Sequence, residues 1–443
     1  MSDSEFPDLG VGPIDASGDR VDLRPGSDDC YACSTCDTNC PVAAVEDSFP
    51  GPKFQGPEQW RLSRDGETEI DPSILECSNC LRCDSSCPSD VPLSQMHNEA
   101  RAEYVSSDLS KLSRTYWRNR LLANYRTSAW LASKLPRLAN AVMGSGPVRW
   151  LLDRTLGVTA EREFPEFVTE TFREWWDGRG GPAESRARAR EHRERLGHDL
   201  DADLKVAYFH GCYANYNTPE VGKAMVRVFE HFGYEVIVPE QRCSGTPMFA
   251  NGMLADARRH AEVNVDSLGT AIEAGYSIIT SCTSCSMALR QEYPELFELS
   301  GIDTLAGHTW EAMEFLRAKT DIAAELGAAS VDEDEFGTLA YHAPCHARDQ
   351  GLDGQPVELF APLDGADAAD VGDSCSGISG TYGWKDEHYD TSMAIGREMF
   401  EHMDRVDGET GLTECPTCAS QMEHGTGDDV CHPLEVIEAA LVE

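Results

Sequence analysis

The second half of the chain is patterned in short apolar runs, each followed by a more polar stretch. Val206-Ala-Tyr-Phe209, Tyr234-Glu-Val-Ile-Val238, Ser277-Ile-Ile-Thr280 and Leu339-Ala-Tyr-His342 have the length and the β-branched or aromatic content of buried strands. Residues 219–232 keep helical spacing between the first two. Strands alternating with helices predict α/β units. Upstream the pattern changes. Apolar residues at 131, 135, 138 and 142 predict a helix. Phe49-Pro-Gly-Pro-Lys-Phe-Gln-Gly-Pro57 reads as a loop too rich in Pro and Gly for a helix or a central strand. Residues 1–29, acidic and rich in Gly and Pro, read as a flexible leader.

Cysteines add the chemistry. Cys30, Cys33, Cys36 and Cys40-Pro41 are spaced as Cys77, Cys80, Cys83 and Cys87-Pro88, both C-x2-C-x2-C-x3-C-P. That spacing holds [4Fe–4S] cubanes, the fourth cysteine ligating the other cluster. Cys30, Cys33, Cys36 and Cys87 are therefore expected on one cluster, and Cys77, Cys80, Cys83 and Cys40 on its partner. Structural zinc would instead use two pairs separated by a longer loop.

From Leu204 the chain repeats itself. Cys212, Cys243, Cys282 and Cys285 recur as Cys345, Cys375, Cys415 and Cys418, at offsets of 133, 132, 133 and 133 residues. The cysteines follow the apolar runs, at the strand ends where open α/β sheets bind ligands. Four cysteines per repeat suit a further iron–sulfur cluster, a zinc ion or a redox-active disulfide. Cys-Ser-Gly occurs in both copies, at Gly245 and Gly377, where a glycine lets backbone approach a bound group. His210, His342 and His346 flank these sites as candidate ligands or proton donors, and Cys431 reads as a buried thiol. The expected fold class is α+β multidomain. A helical two-cluster ferredoxin-like module (30–100) and a connector (101–203) precede two α/β cysteine-rich repeats (204–330 and 331–443), with the acidic stretch at 331–336 as their joint.

Charge modifies this picture in two places. The 443 residues carry 37 basic and 77 acidic side chains, net −40, and only seven of the bases are lysine. That excludes a nucleic-acid footprint over the whole protein and suits a salt-adapted source. Between Lys111 and Arg154, however, nine bases face one acid, Asp153, and alternate with Trp and Leu. Such a segment suits an interfacial helix on an anionic membrane, with Arg118, Arg120 and Arg126 meeting the lipid charge, or a connector packed on acidic domains. Residues 172–195, Arg-rich around a Trp pair, read as the solvated end of the connector. No signal peptide and no membrane-spanning run are apparent, and free thiols in motifs point to a reducing compartment.

The order of parts resembles the family of heterodisulfide-reductase-like and glycolate-oxidase iron–sulfur subunits. Within it the likeness is to the branch serving respiratory oxidation of glycerol 3-phosphate. It rests on Phe49-Pro-Gly-Pro-Lys53 with Gln55-Gly-Pro57, Cys87-Pro-Ser-Asp-Val91, Phe209-His-Gly-Cys-Tyr-Ala-Asn-Tyr-Asn217, Ala250-Asn-Gly252, Arg290-Gln-Glu-Tyr-Pro294 and Gly380-Thr-Tyr-Gly-Trp-Lys385. The resemblance implies an electron-transfer and docking subunit with no catalytic residue of its own, peripheral on the cytoplasmic face of the membrane. It implies flavin-containing dehydrogenase subunits as partners, membrane quinone as acceptor, and one or two clusters in the repeats beyond the two cubanes. A thiol–disulfide reductase, a glycolate or lactate oxidase subunit, and a zinc-holding scaffold are the alternatives. One departure counts against the reductase: the family repeat usually carries two adjacent cysteines before the glycine, and here Ser244 and Ser376 replace the second.

Overall fold

The computed structural model describes residues 29–64, 69–197, 199–200, 202–406, 408 and 410–442. Nearly all of the expected 1–29 leader lies outside them. Two four-stranded parallel sheets carry the second half of the chain. The first holds β1 (Lys205–Phe209), β2 (Glu235–Ile237), β3 (Ser277–Thr280) and β4 (Thr309–Glu311) in the order β2-β1-β3-β4. The second holds β5 (Gly337–Tyr341), β6 (Ala366–Asp370), β7 (Thr410–Leu412) and β8 (Asp429–Cys431) in the order β6-β5-β7-β8. The two orders are identical, so the sequence repeat is a structural one.

The strand compositions follow from burial. β1 lies between two neighbours with helices on both faces, and Val206, Ala207, Tyr208 and Phe209 are all buried. β6 is an edge and alternates, with Asp367 and Asp370 exposed, which discourages pairing with another chain. One apolar core runs through both repeats. It joins Phe229 and Met313 of the first to Tyr341 and Phe360 of the second, with Val436 and Ile437 of the helix Pro433–Leu441. That helix packs on Pro219–His231 of the first repeat.

The structure revises several readings. Residues 172–195 are not a solvated end: Phe172 and Trp176 are buried in the shared core, and Ser185 accepts a hydrogen bond from Val236 N at 3.0 Å. Arg193 is buried too, donating to the carbonyls of Gly233 and Leu204. The segment 49–57 enters a helix after all. Its π-helical turn Phe54–Glu58 contains Pro57, and the wider turn accommodates a residue with no N–H to donate. The stripe at 131, 135, 138 and 142 is split by Pro136, which starts a second helix, Pro136–Met143, after Tyr125–Ala132.

The connector arginines also differ from expectation. Arg118 is 1% exposed and forks onto Glu387 through two bonds of 2.5 Å, also reaching the Gly157 carbonyl. Arg126 turns inward toward Cys212. Arg120 stays at the surface, 3.4 Å from Asp256. Two of the three arginines therefore hold the connector to the repeats instead of facing solvent.

Arg118→Met should lower stability by about 2–3 kcal/mol, the low side for a buried pair because the Glu387 side chain keeps 41% exposure. Burial pushes the Glu387 carboxyl up, but Arg118 holds it below its ordinary value. Its contribution is then full above the unfolded carboxyl pKa and is lost as pH falls through the folded one. Thermal unfolding across pH 3–7 checks this; Glu387→Gln should flatten that acid limb, and an unchanged limb counts against the pair.

Candidate iron–sulfur sites

In the N-terminal module each cysteine loop closes on itself through residues in the left-handed region. Ala32 and Ser34 flank Cys33 at φ 60° and 63°, and Asn79 and Leu81 flank Cys80 at 61° and 63°. Non-glycine residues are held there at a cost of about 1–3 kcal/mol each. Strain at four matched positions, all beside the second cysteine of a motif, marks loops shaped around a bound group. Successive N–H groups turned one way by such conformations suit an anionic cluster.

The loops exchange their fourth cysteines. Cys87 joins Cys30, Cys33 and Cys36 around one space, and Cys40 joins Cys77, Cys80 and Cys83 around the other. Burial pushes the Cys36 and Cys40 thiols up to about 12. Such thiols are given up only when a metal takes the sulfur charge. Cys77 is different: burial would raise it too, but Arg101 and His97 bring it down to about 6. Both side chains come from the helix Leu93–Ser107. His97 Nδ1 lies 3.9 Å from Cys77 Sγ, and Arg101 donates to the Cys77 carbonyl at 3.1 Å.

Two acids beside the cysteines escaped the reading of the sequence. Asp37 accepts from Lys53 N at 3.0 Å, and Asp84 accepts from Ser94 N at 3.0 Å. Each fastens its cysteine loop to the next segment. The signal was present, since Cys36-Asp37 and Cys83-Asp84 occupy the same place in the two motifs.

In the repeats, the strand order brings the cysteines together. Cys212, Cys243 and Cys282 follow β1, β2 and β3, three adjacent strands, and Cys285 lies one turn beyond. Cys345, Cys375, Cys415 and Cys418 follow β5, β6 and β7 in the same way. All eight line one cavity of about 470 Å³ between the repeats, joined by Cys80 and Cys431. Gly211 has φ +67°, and a Cβ there would stand 3.1 Å from Cys285 Sγ. Gly377 has φ +84°, and a Cβ there would fall 2.2 Å from the Ser392 carbonyl. Its N–H donates to Cys375 Sγ at 3.4 Å.

In the pairs Cys212/Cys243, Cys345/Cys375 and Cys415/Cys418 one thiol is held down and its hydrogen-bonded partner is pushed up. Cys345 and Cys375 are 3.7 Å apart, and the bond from Cys345 brings Cys375 down to about 7. The bond from Cys418 likewise brings Cys415 down to about 6. Among the described residues no three His, Cys, Asp or Glu side chains converge closely enough to hold a single ion. The sulfurs surround spaces, an arrangement that fits a cluster of several atoms.

The histidines divide. His346 lines the cavity and lies 2.9 Å from Ser284 Oγ across the repeat boundary. His210 also lines it and has its Nδ1 2.6 Å from the Gly211 carbonyl. His342 is fully buried and does not line the cavity, and neither of its ring nitrogens has a hydrogen-bond partner among the described residues. Cys431 lies on β8, half-buried, its thiol pushed up to about 12 by burial.

The two modules touch at the second repeat. Cys40 and Cys77 pack with Cys345 and Cys375 in one apolar cluster around Phe49 and Tyr382. Arg82, between Cys80 and Cys83, donates to the Asp373 carbonyl at 2.9 Å and to its carboxylate at 3.1 Å. Arg348 grips the same carboxylate from the other side.

Comparison with known proteins agrees with this geometry. Residues 26–91 match the 4Fe-4S dicluster domain, and residues 206–290 and 339–423 each match the Cysteine-rich domain. The chain is 32% identical over 416 residues to a subunit of anaerobic glycerol-3-phosphate dehydrogenase from Escherichia coli K12, covering 94% of this chain and 98% of that protein. It is 29% identical over 248 residues to a subunit of the fumarate reductase (CoM/CoB) of Methanothermobacter marburgensis, 53% of this chain and 46% of the relative. Against lactate utilization protein A of an Exiguobacterium strain the identity is 29% over 215 residues, covering 44% and 83%.

The exchange of fourth cysteines has a direct test. Cys87→Ser should abolish the cluster on the Cys30 loop and spare the one on its own loop, while Cys40→Ser should do the reverse. Iron content should fall by about four atoms in each variant, and electron paramagnetic resonance of the reduced proteins identifies the survivor. Loss of the cluster on the mutated loop itself would sink the assignment.

Proposed function

The chain belongs to a family of iron–sulfur subunits of anaerobic glycerol-3-phosphate dehydrogenase, and from that membership we propose that it takes electrons from a flavin-bearing dehydrogenase partner and delivers them to membrane quinone while holding the complex on the membrane. Two [4Fe–4S] clusters are part of this family's dicluster domain. The observation that carries the proposal is continuity. The Cys30 loop opens at the surface, where Cys33 and Tyr31 are exposed; the Cys77 site abuts the second repeat; and the eight repeat cysteines share one cavity.

Clusters bound at these sites supply one-electron redox capacity; the chain's own residues do the rest. Phe49 and Tyr382 exclude water between the Cys77 site and the second repeat. Arg82 places a fixed positive charge at that junction, and the Asp373 clamp holds the two modules in register. We propose Cys30, Cys33, Cys36 and Cys87 as ligands of the first cluster and Cys77, Cys80, Cys83 and Cys40 as ligands of the second. The two sets of repeat cysteines are proposed as ligands of further clusters.

Docking is proposed to come from the four short helices Arg114–Ala123, Tyr125–Ala132, Pro136–Met143 and Gly146–Leu156. Ten of the twelve exposed large hydrophobic side chains among the described residues lie between Leu112 and Leu151, including Trp117, Trp130, Leu131, Leu138 and Trp150. Exposed Lys111, Arg114, Arg120, Lys134, Arg137 and Arg154 accompany them. Lys134 lies over the Trp130 ring and Arg154 over the Trp150 ring. Apolar rings framed by cations, in a chain of net charge −40, suit an anionic lipid surface. Among the described residues no helix is long and apolar enough to cross a membrane.

Quinone reduction by glycerol 3-phosphate, measured on the complex with and without this chain, tests the electron route; an unchanged rate excludes it. For docking, Trp130→Glu with Leu138→Glu should weaken binding to anionic vesicles by at least tenfold, since each loses burial of about 1.5–3 kcal/mol. The loss should persist at high salt, which screens charge but not apolar burial. Retained binding places the membrane contact elsewhere.

A further inference from the structure

In both repeats the residue after the middle cysteine is a serine turned toward the sulfur of the C-x2-C pair. Ser244 Oγ lies 3.5 Å from Cys285 Sγ, and Ser376 Oγ lies 3.3 Å from Cys418 Sγ. Each serine is 3% exposed, and each lines the cavity. The contacts link equivalent residues in the two repeats, formed after β2 and β3 in one and after β6 and β7 in the other. A buried hydroxyl left unbonded costs about 1–3 kcal/mol, so two matched serines facing two matched sulfurs are an arrangement the fold maintains.

The polarity of this contact changes with the state of the sulfur. As a thiol, Cys285 donates to Ser244 Oγ. A sulfur bound to iron has only lone pairs to offer, and the hydroxyl has one proton to give. With a cluster in place, the serine must therefore be the donor.

We propose that Ser244 and Ser376 are positioning residues that donate hydrogen bonds to the cluster-bound sulfurs of Cys285 and Cys418, and so set the reduction potential of the centre in each repeat. Reduction adds one electron, and part of its charge falls on the ligating sulfurs. A donor aimed at such a sulfur stabilises the reduced form more than the oxidised one and raises the potential. The Gly377 N–H on Cys375 acts in the same sense, so the second repeat surrounds its thiols with donors from backbone and side chain together. Serine in this role keeps four sulfur ligands per repeat and gives up the second of the two adjacent thiols usual in the family. This inference rests on the reading that the repeats hold iron–sulfur clusters.

The test uses the full chain, loaded anaerobically with iron and sulfide, with centres followed by electron paramagnetic resonance through a redox titration. Ser244→Ala should leave the iron count unchanged and shift the first repeat's centre about tenfold toward its oxidised form at a given potential. That corresponds to about 59 mV for a one-electron couple. Ser376→Ala should do the same to the second repeat's centre only. The two dicluster centres, which neither serine touches, should keep their potentials. Threonine at either position retains the hydroxyl and should restore the parent value, which a loss of packing alone would not. Loss of iron in the alanine variants would make serine a metal ligand and overturn the donor role. Full loading with unmoved potentials would overturn it as well. If the unmodified chain holds only the iron of its two dicluster clusters, the reading of the repeats falls and this inference with it. Should one alanine variant fail to fold, the other repeat provides the same comparison independently.

Discussion

Sulfur that binds iron has to be given up as thiolate, and in this chain that happens mostly in the interior. Burial alone opposes it: Cys36 and Cys40 are pushed up to about 12. Sixteen of the cysteines stand in four sets of four, and among them only Cys33 is exposed. The compensation is local and varied. Left-handed residues flanking Cys33 and Cys80 turn backbone N–H groups inward, Gly377 donates to Cys375, and serine hydroxyls face Cys285 and Cys418. Cations are placed sparingly. In a chain with 37 bases against 77 acids, Arg101 is buried beside Cys77, Arg82 and Arg348 converge on Asp373 near Cys375, and Arg126 reaches toward Cys212.

That placement connects the acidic surface to the sites. Surface arginine in salt is worth little, because exposed pairs contribute a few tenths of a kcal/mol and are screened. A guanidinium enclosed beside a thiolate keeps its field, since the surroundings are less polarisable than water. The connector follows the same logic. Arg118 is committed to Glu387 inside the fold, while Lys134 and Arg154 lie over exposed tryptophans. Sequence position alone could not separate these roles, because all three sit in the same basic stretch.

What could be read from the sequence was periodic or repeated. The C-x2-C-x2-C-x3-C-P pair, the offset of 132–133 residues and the strands β1, β2, β3 and β5 all stand out, because each reflects a local rule of spacing or burial. What could not be read depends on tertiary contact. Phe172 and Trp176 looked like the end of a polar connector, yet they complete the first repeat's core. β4, β7 and β8 are three residues each and, unlike the equally short β2, stand in no β-branched run. Pro136 broke a helix whose apolar spacing continued across it, and the π-helical turn at Pro57 allowed one where composition argued against it. Asp37 and Asp84 were visible as a matched pair, but their partners Lys53 and Ser94 lie sixteen and ten residues away on other elements.

The two repeats are alike in strand order and cysteine placement, and only their surroundings make them different. The dicluster module packs its Cys40 and Cys77 against Cys345 and Cys375 of the second repeat, while its Leu75 packs on the core of the first. The connector reaches both copies: Arg126 approaches Cys212 and Tyr125 donates to Asn217 at 2.6 Å in the first, while Arg118 forks onto Glu387 in the second. The same connector carries the exposed Trp and Leu side chains. A duplicated domain by itself has no direction, because its two sites are interchangeable. A difference enters through what lies beside each set of cysteines, the dicluster module's Cys40 and Cys77 at the second repeat and the connector's Arg126 at the first. Between them lies the shared cavity, where the eight repeat cysteines, Cys80 of the dicluster module, and Ser244 and Ser376 come together.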